Sequence, residues 1–337
     1  MFAERAGFPA NRSELYEEGL DVLLKKWDAK RNIKRDEAYK QLSLKRKEDL
    51  LSQVAWITFE QSDYFFKKKF VEEQIQEYIR NLPNASSDLE ALQLDSEAVL
   101  NSIVAQHGLL VERARGIYSF SHLTFLEYFT ARQFKEKADD GFSGLVVHIT
   151  DKQWREVFLL TAGMLINADK LLQAIKIQID KILAKDLKLQ KFLSWLEQKS
   201  FSTKSIDKPA NIRSHYLVIE CFYHRGSSLD YSLEVSRNLS LKKSSVTINK
   251  IPDWRSNQFL GISKADAQDF ERWNQKKFVD WHFNISQEIL LKQYIDANKL
   301  LVDCLNSDCY VSREVRESIE STLLLPIASI EKHTNPT

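Results

Sequence analysis

The stretch Gly108–Phe134, GLLVERARGIYSFSHLTFLEYFTARQF, limits the possible folds more than any other part of the chain. LLVERA and IYSFSH alternate apolar and polar residues on either side of Arg115-Gly116. A period of two sends successive side chains to opposite faces of a strand, and a glycine turn between two such runs closes a β-hairpin. LTFLEYFTARQF then shifts to three- and four-residue spacing, so a helix follows at once. Ser121 or Thr124 can cap that helix, and Thr124 with Glu127 fits a capping box. Upstream, EDLLSQVAWITFEQ is an amphipathic helix through Leu50, Leu51, Val54, Ala55, Ile57 and Phe59. YFFKKKF is short and β-compatible, VEEQIQEYIRNL is helical, and Pro83 to Ser87 ends it. LEALQLDSEAVLNSIVAQHGLL gives a further helix with Leu100, Ile103 and Val104 inward and Gly108 as its stop. Helix, helix, hairpin, helix is the layout of a winged-helix-like unit.

Elsewhere the chain is short of punctuation, with nine Gly and six Pro in 337 residues. Few tight turns are available, which favours long helices. Residues 13–27 show helical spacing, with Leu15, Leu20, Leu23, Leu24 and Trp27 on one side. Structure restarts after the break at 141–144, and KLLQAIKIQIDKILAKDLKLQKFLSWLEQ is strongly helical. A polar stretch at 198–210 follows, then SHYLVIECFYHRG, a Ser- and Lys-rich segment at 227–250, and a helix capped by Ser263. The last two patterns, from Ser286 and from Ser312, predict a helical hairpin. The expected fold class is mainly α, with helical bundle domains and a winged-helix-like unit carrying a small β-hairpin.

A net charge of +1 argues against a strongly basic nucleic-acid protein. The basic stretch Lys25–Lys47 is diluted by Asp28, Asp36 and Glu37 and reads as a solvated helix face. Cys221, Cys304 and Cys309 are too few and too odd in number for a disulfide framework, so a reducing, cytoplasmic setting is expected. No run of about 18 apolar residues predicts a spanning helix. The N-terminus has no secretory pattern. Phe2, Phe8 and Pro9 come at once, as if cut from inside a larger chain.

His122 sits where strand pattern becomes helix pattern. Its plainest role there is a backbone hydrogen bond; a ligand contact is the alternative. Glu127 lies beside the apolar face of Phe125, Leu126 and Phe129, and calls for a cationic partner such as Arg132 or Arg113. Phe125, Tyr128, Phe129 and Phe134 are expected in the core. His215, Cys221 and His224 form H-x5-C-x2-H, without a fourth zinc ligand nearby; Cys304 and Cys309 are spaced C-x4-C. A Cys–His nucleophile at Cys221 is the other chemical reading, and a buried cysteine is the default. Trp254, Trp273 and Trp281, with Phe270 and Phe278, are either the core of the last helical domain or a recognition surface.

Two blocks carry a resemblance. FPANRSELYEEGLDVLLKKW is similar to the end of the helical domain that follows the nucleotide-binding core in NACHT-type signalling NTPases of the STAND class. HGLLVERARGIYSFSHLTFLEYFTARQF resembles their winged-helix segment, and WREVFLLTAGML resembles the helix that follows in bacterial members. The first two blocks cover about a seventh of the chain. The resemblance implies the end of a NACHT-associated helical domain at 1–44, a winged-helix domain at 45–137, a helical linker domain at 138–205 and a C-terminal helical sensor domain at 206–337. It implies a regulatory and sensor half of a cytoplasmic, bacterial signal-transducing ATPase acting in antiviral (anti-phage) defence. In such proteins the resting winged helix folds back on the nucleotide, and its histidine, matched here by His122, touches the phosphates of bound ADP. The implied partners are the NACHT core, in the same parent chain or as a separate subunit, a phage-derived or cellular trigger, and further copies in an activated homo-oligomer. Neither nucleic acid nor a membrane is implied.

One departure matters. No G-x-x-x-x-G-K-[ST] occurs in the 337 residues, so nothing in them cradles β- and γ-phosphates or positions Mg²⁺. The expectation is therefore no NTPase activity, no catalytic or metal-binding residue and no cofactor in this chain, with ATP or ADP and Mg²⁺ held by the parent's core. The chain reads as the C-terminal part of such a protein, or as a decayed or separately encoded half. Two rivals stand beside that reading. A DNA-binding winged-helix regulator would use Arg113 and Arg115 in the wing, although SEAVLNSIVAQ before it has no basic residue. A Cys/His hydrolase would be built around Cys221.

Overall fold

The computed structural model describes residues 12–21, 43–82, 88–202, 209–214, 216–217, 281–307 and 309–334. Helix α1 spans Arg12–Asp21, α2 Leu44–Glu60, α3 Lys68–Arg80 and α4 Leu89–His107. Strands β1 (Phe66–Lys67), β2 (Leu110–Ala114) and β3 (Ile117–Phe120) precede α5 at Leu123–Glu136. After a single turn at Ser143–Val146 come α6 (Arg155–Met164), α7 (Asp169–Leu183) and α8 (Leu187–Ser202). Helices α9 (Ile285–Asn306), α10 (Arg313–Thr322) and α11 (Ile327–Thr334) complete the described residues. None of these helices is long and apolar enough to cross a membrane.

Two compact units form. The first draws on the described residues of Met1–Leu145, Gln153–Ile166 and Ser307–Tyr310, the second on those of Val146–Lys152, Asn167–Asn306 and Val311–Thr337.

In the first unit α5 packs along α2 and α6, while α3 pairs with α4. The helices follow from their sequences. Ser43 accepts a hydrogen bond from the Arg46 amide (3.3 Å) and so caps α2. Leu50, Leu51, Val54, Ala55 and Phe59 bury one stripe of that helix. Each large side chain of this kind contributes about 1.5–3 kcal/mol on burial. Aromatic rings join the layers. Tyr128 meets Tyr16 (6.4 Å between centroids) and Phe129 (5.5 Å), and Phe129 meets Phe120 (6.1 Å). Phe120 in turn meets Phe66 (6.3 Å), and Trp154 lies between Phe59 (4.8 Å) and Phe134 (6.0 Å). Tyr128, Phe129 and Phe134 are buried as the helical spacing predicts. Phe125 is half-buried instead.

The sheet has three antiparallel strands in the order β1-β3-β2, with Phe66 opposite Tyr118 and Leu110 opposite Phe120. The hairpin is thus joined by a short third strand from YFFKKKF. Two local expectations fail. His122 is the N-cap of α5, and neither Ser121 nor Thr124 caps it. The chain stays extended through His122 (φ −135°, ψ 143°), so Thr124 already lies inside the helix and the capping box cannot form. The helical run from Lys170 to Gln198 also breaks, between Leu183 and Leu187, because the Asp186 carboxylate takes the amides of Lys188 and Leu189, both at 2.9 Å.

In the second unit α9 and α10 both lie against α7, more extensively than against each other, so the predicted terminal hairpin is a three-helix arrangement. Its interior is partly polar. Lys176 and Asp180 pair at 2.6 Å, one turn apart on α7, with side chains 8% and 12% exposed. Burial lowers the Lys176 ammonium and raises the Asp180 carboxyl, and each charge opposes the other's shift. Buried Arg213 donates to the carbonyls of Leu323 (2.7 Å) and Ser321 (2.8 Å) at the end of α10. Burial brings it down to about 10, with the nearby Tyr294 and Glu197 opposing the shift, so it remains cationic. Trp281, stacked on Phe283 (6.1 Å) and edge-on to Phe192 (5.3 Å), belongs to this aromatic packing.

Candidate functional site

The joint between wing and helix is built in three steps. Gly108 ends α4 in the left-handed region (φ +59°) and Gly116 turns the hairpin at φ +72°, conformations glycine adopts without steric cost. The Glu112 carboxylate accepts the Gly116 amide at 2.7 Å and fixes the tip. The Ser121 amide then donates to the Leu109 carbonyl (2.8 Å), which anchors the far end of β3 beside the end of α4.

His122 follows immediately and is exposed. Its carbonyl accepts the amides of Phe125 (3.1 Å) and Leu126 (3.5 Å), which opens α5. Its side chain makes no capping hydrogen bond. The ring instead meets Phe125 edge-on, with centroids 5.7 Å apart and planes at 71°. The exposed ring thus stands beside the N-terminus of α5, whose leading amides the His122 side chain leaves uncapped.

Glu127 lies one turn deeper. Burial pushes its carboxyl up to about 7, and the negative charge of Glu156 on α6 adds to the rise. The expected cations do not reach it. Arg132 stands five positions on, about 140° around the helix from Glu127 at 3.6 residues per turn, and its guanidinium points to α2. There it donates to Asp49 (2.8 Å) and to the Ser52 hydroxyl (3.2 Å), and pairs with Glu48 at 3.3 Å. Glu136, one turn further along α5, lies 3.9 Å away. The Arg132 side chain is only 8% exposed.

Arg113 is taken as well. It is the extra residue of a β-bulge between Glu112 and Ala114, and its guanidinium donates to the Ser119 hydroxyl (2.9 Å) and the Ser121 carbonyl (3.0 Å). Sequence reasoning gave Arg113 and Arg132 the wrong partners. The acceptors for Arg132 lie some eighty positions away, and no local pattern announces them.

Among the described residues no cluster of three His, Cys, Asp or Glu side chains is arranged to hold a metal ion. His215, Cys221, His224, Trp254, Trp273, Phe270 and Phe278 lie outside the described residues, as do Leu23, Leu24, Trp27 and most of Lys25–Lys47. Cys304 is a buried core residue of α9, and Cys309 is half-buried.

Residues 12–134, which include the sheet, the joint and most of α5, match the family model of the winged helix-turn-helix domain C-terminal to NACHT. Residues 241–326 match the model of NACHT C-terminal helical domain 2. No curated protein and no solved structure matches the chain. The order of the two domains agrees with the winged-helix geometry of the first unit and with the helical character of α9 and α10 in the second. The chain is therefore a C-terminal portion of a NACHT-type protein, carrying its winged helix and its second C-terminal helical domain.

Proposed function

We propose that the chain is the regulatory and sensing portion of a NACHT-type signalling ATPase that acts in bacterial antiviral defence. In the resting state the winged helix closes over the ADP held by the NACHT core, and His122 donates a hydrogen bond to a phosphate oxygen. The helix N-terminus beside it adds a field favourable to anions. A trigger sensed through the C-terminal helices binds the open state better than the closed one, so the latch releases and protomers assemble. The chain contributes no catalytic group; ATP hydrolysis and Mg²⁺ binding belong to the core.

One observation carries this reading: the exposed His122 ring at an uncapped helix start, inside the segment that matches the NACHT winged helix. The DNA-binding alternative is less well supported. Arg113 is held by its own wing, and α4, the helix before the wing, carries Glu90, Asp95 and Glu97 and no Lys or Arg.

The test is ADP retention by the full assembly with its core. A hydrogen bond to a charged group is worth about 1.5–3 kcal/mol, so His122→Leu should speed ADP release by about 10- to 100-fold. Unchanged release and unchanged autoinhibition would overturn the assignment.

A further inference from the structure

We propose that Arg113 is a positioning residue for His122, and that the β-bulge in the wing exists to aim it. The inference rests on the reading of His122 as the ligand-facing group.

The His122 side chain has no hydrogen bond to its own helix, so its direction is inherited from the backbone on either side. On the helix side, Phe125 contacts the ring and bonds the His122 carbonyl. On the strand side the preceding residue, Ser121, is held at both its amide and its carbonyl. The Ser121 amide donates to Leu109, and the Ser121 carbonyl accepts Arg113 Nη2 at 3.0 Å. The same guanidinium uses Nε to hold the Ser119 hydroxyl at 2.9 Å, and that hydroxyl donates to the Phe120 carbonyl at 2.9 Å. One planar fork thus spans the last residues of β3 and ends on the carbonyl oxygen of the peptide that joins Ser121 to His122.

Register explains how Arg113 gets there. Glu112 pairs with Tyr118 and Ala114 with Ile117, so Arg113 is the unpaired extra residue on β2. Bulges re-aim a side chain that regular pairing would fix elsewhere. A lysine cannot reproduce the arrangement, because a single ammonium on a flexible stem does not offer two donors in a fixed plane. Its charge would survive and its geometry would not.

The experiment uses the full 337-residue chain with isotope-labelled histidine, and the His122 ring signals are identified by their loss in His122→Gln. Arg113→Ala should shift and broaden those signals. It should also speed amide exchange at Ser121 and Phe125 by about tenfold, since a charge-assisted hydrogen bond that braced the segment is gone. Arg113→Lys should resemble Arg113→Ala in ring signals and exchange, while keeping the charge. Exchange at core amides of α2 and α3 should stay unchanged in both variants, which separates positioning from unfolding. The proposal is overturned if the ring signals and local exchange of Arg113→Ala match the unmodified chain, if Arg113→Lys restores them fully, or if the α2 and α3 amides accelerate equally. These readouts need no nucleotide, so their failure is distinct from a failure of His122 to retain ADP.

Discussion

Replacing Glu127 by Gln should stabilise the first compact unit at high pH and do nothing at low pH. The carboxyl is pushed from about 4.5 to about 7 by burial, with Glu156 adding to the rise. A group whose folded value is raised stabilises the fold fully below its unfolded value, and that contribution is lost as pH rises through the folded value. For Glu127 the loss therefore runs from about pH 4.5 to pH 7 and is complete above it. At 1.36 kcal/mol per tenfold change, the full rise corresponds to about 3.4 kcal/mol. The side chain is only half-buried, so solvent screens part of this and about 1–2 kcal/mol remains. Glu127→Gln keeps the shape and removes the charge. With a urea slope of about 2 kcal/mol per molar, the midpoint at pH 8 should rise by about 0.5–1 M at constant slope. The same pair compared at pH 4 should coincide. Equal midpoints at pH 8, or the same difference at both pH values, would refute the electrostatic argument.

Further outcomes follow from the buried charges. Arg132→Met should destabilise the first unit by about 2–3 kcal/mol, less than the roughly 3–5 kcal/mol of a fully buried pair, because Asp49 and Glu48 are a third and a quarter exposed and can hydrate; urea midpoints measure it. In the second unit, Lys176→Met should cost about 3–5 kcal/mol by stranding Asp180, and Lys176→Met with Asp180→Leu should recover most of that loss. A double-mutant cycle in thermal unfolding reads the recovery, and additive losses would contradict it.

The sequence reveals the wing because two periods meet inside one short segment, and the change at Ser121–Leu123 has no other simple reading. Gly108 and Gly116 are legible for the same reason, each at a place where only a left-handed turn fits. The cap of α5 is not legible: Ser121 and Thr124 have the right chemistry, but the pull of β3 keeps the backbone extended through His122. Strand β1 is legible as a short β-compatible run, YFFKKKF, but its two-residue extent is set by pairing with Tyr118 and Ile117, about fifty positions away. The partners of Glu127 and Arg132 fail similarly, since helical rotation and tertiary packing, not spacing, decide which carboxylate a guanidinium meets. His122 is exposed at that same extended cap, where its ring keeps only an edge-on contact with Phe125 of the helix it begins.

The most direct test is a structure of the resting assembly with ADP in the NACHT core. The account predicts a His122 ring nitrogen within about 2.7–3.2 Å of a phosphate oxygen. A closed, ADP-bound assembly in which His122 faces solvent or protein, with no phosphate in hydrogen-bond reach, would contradict it.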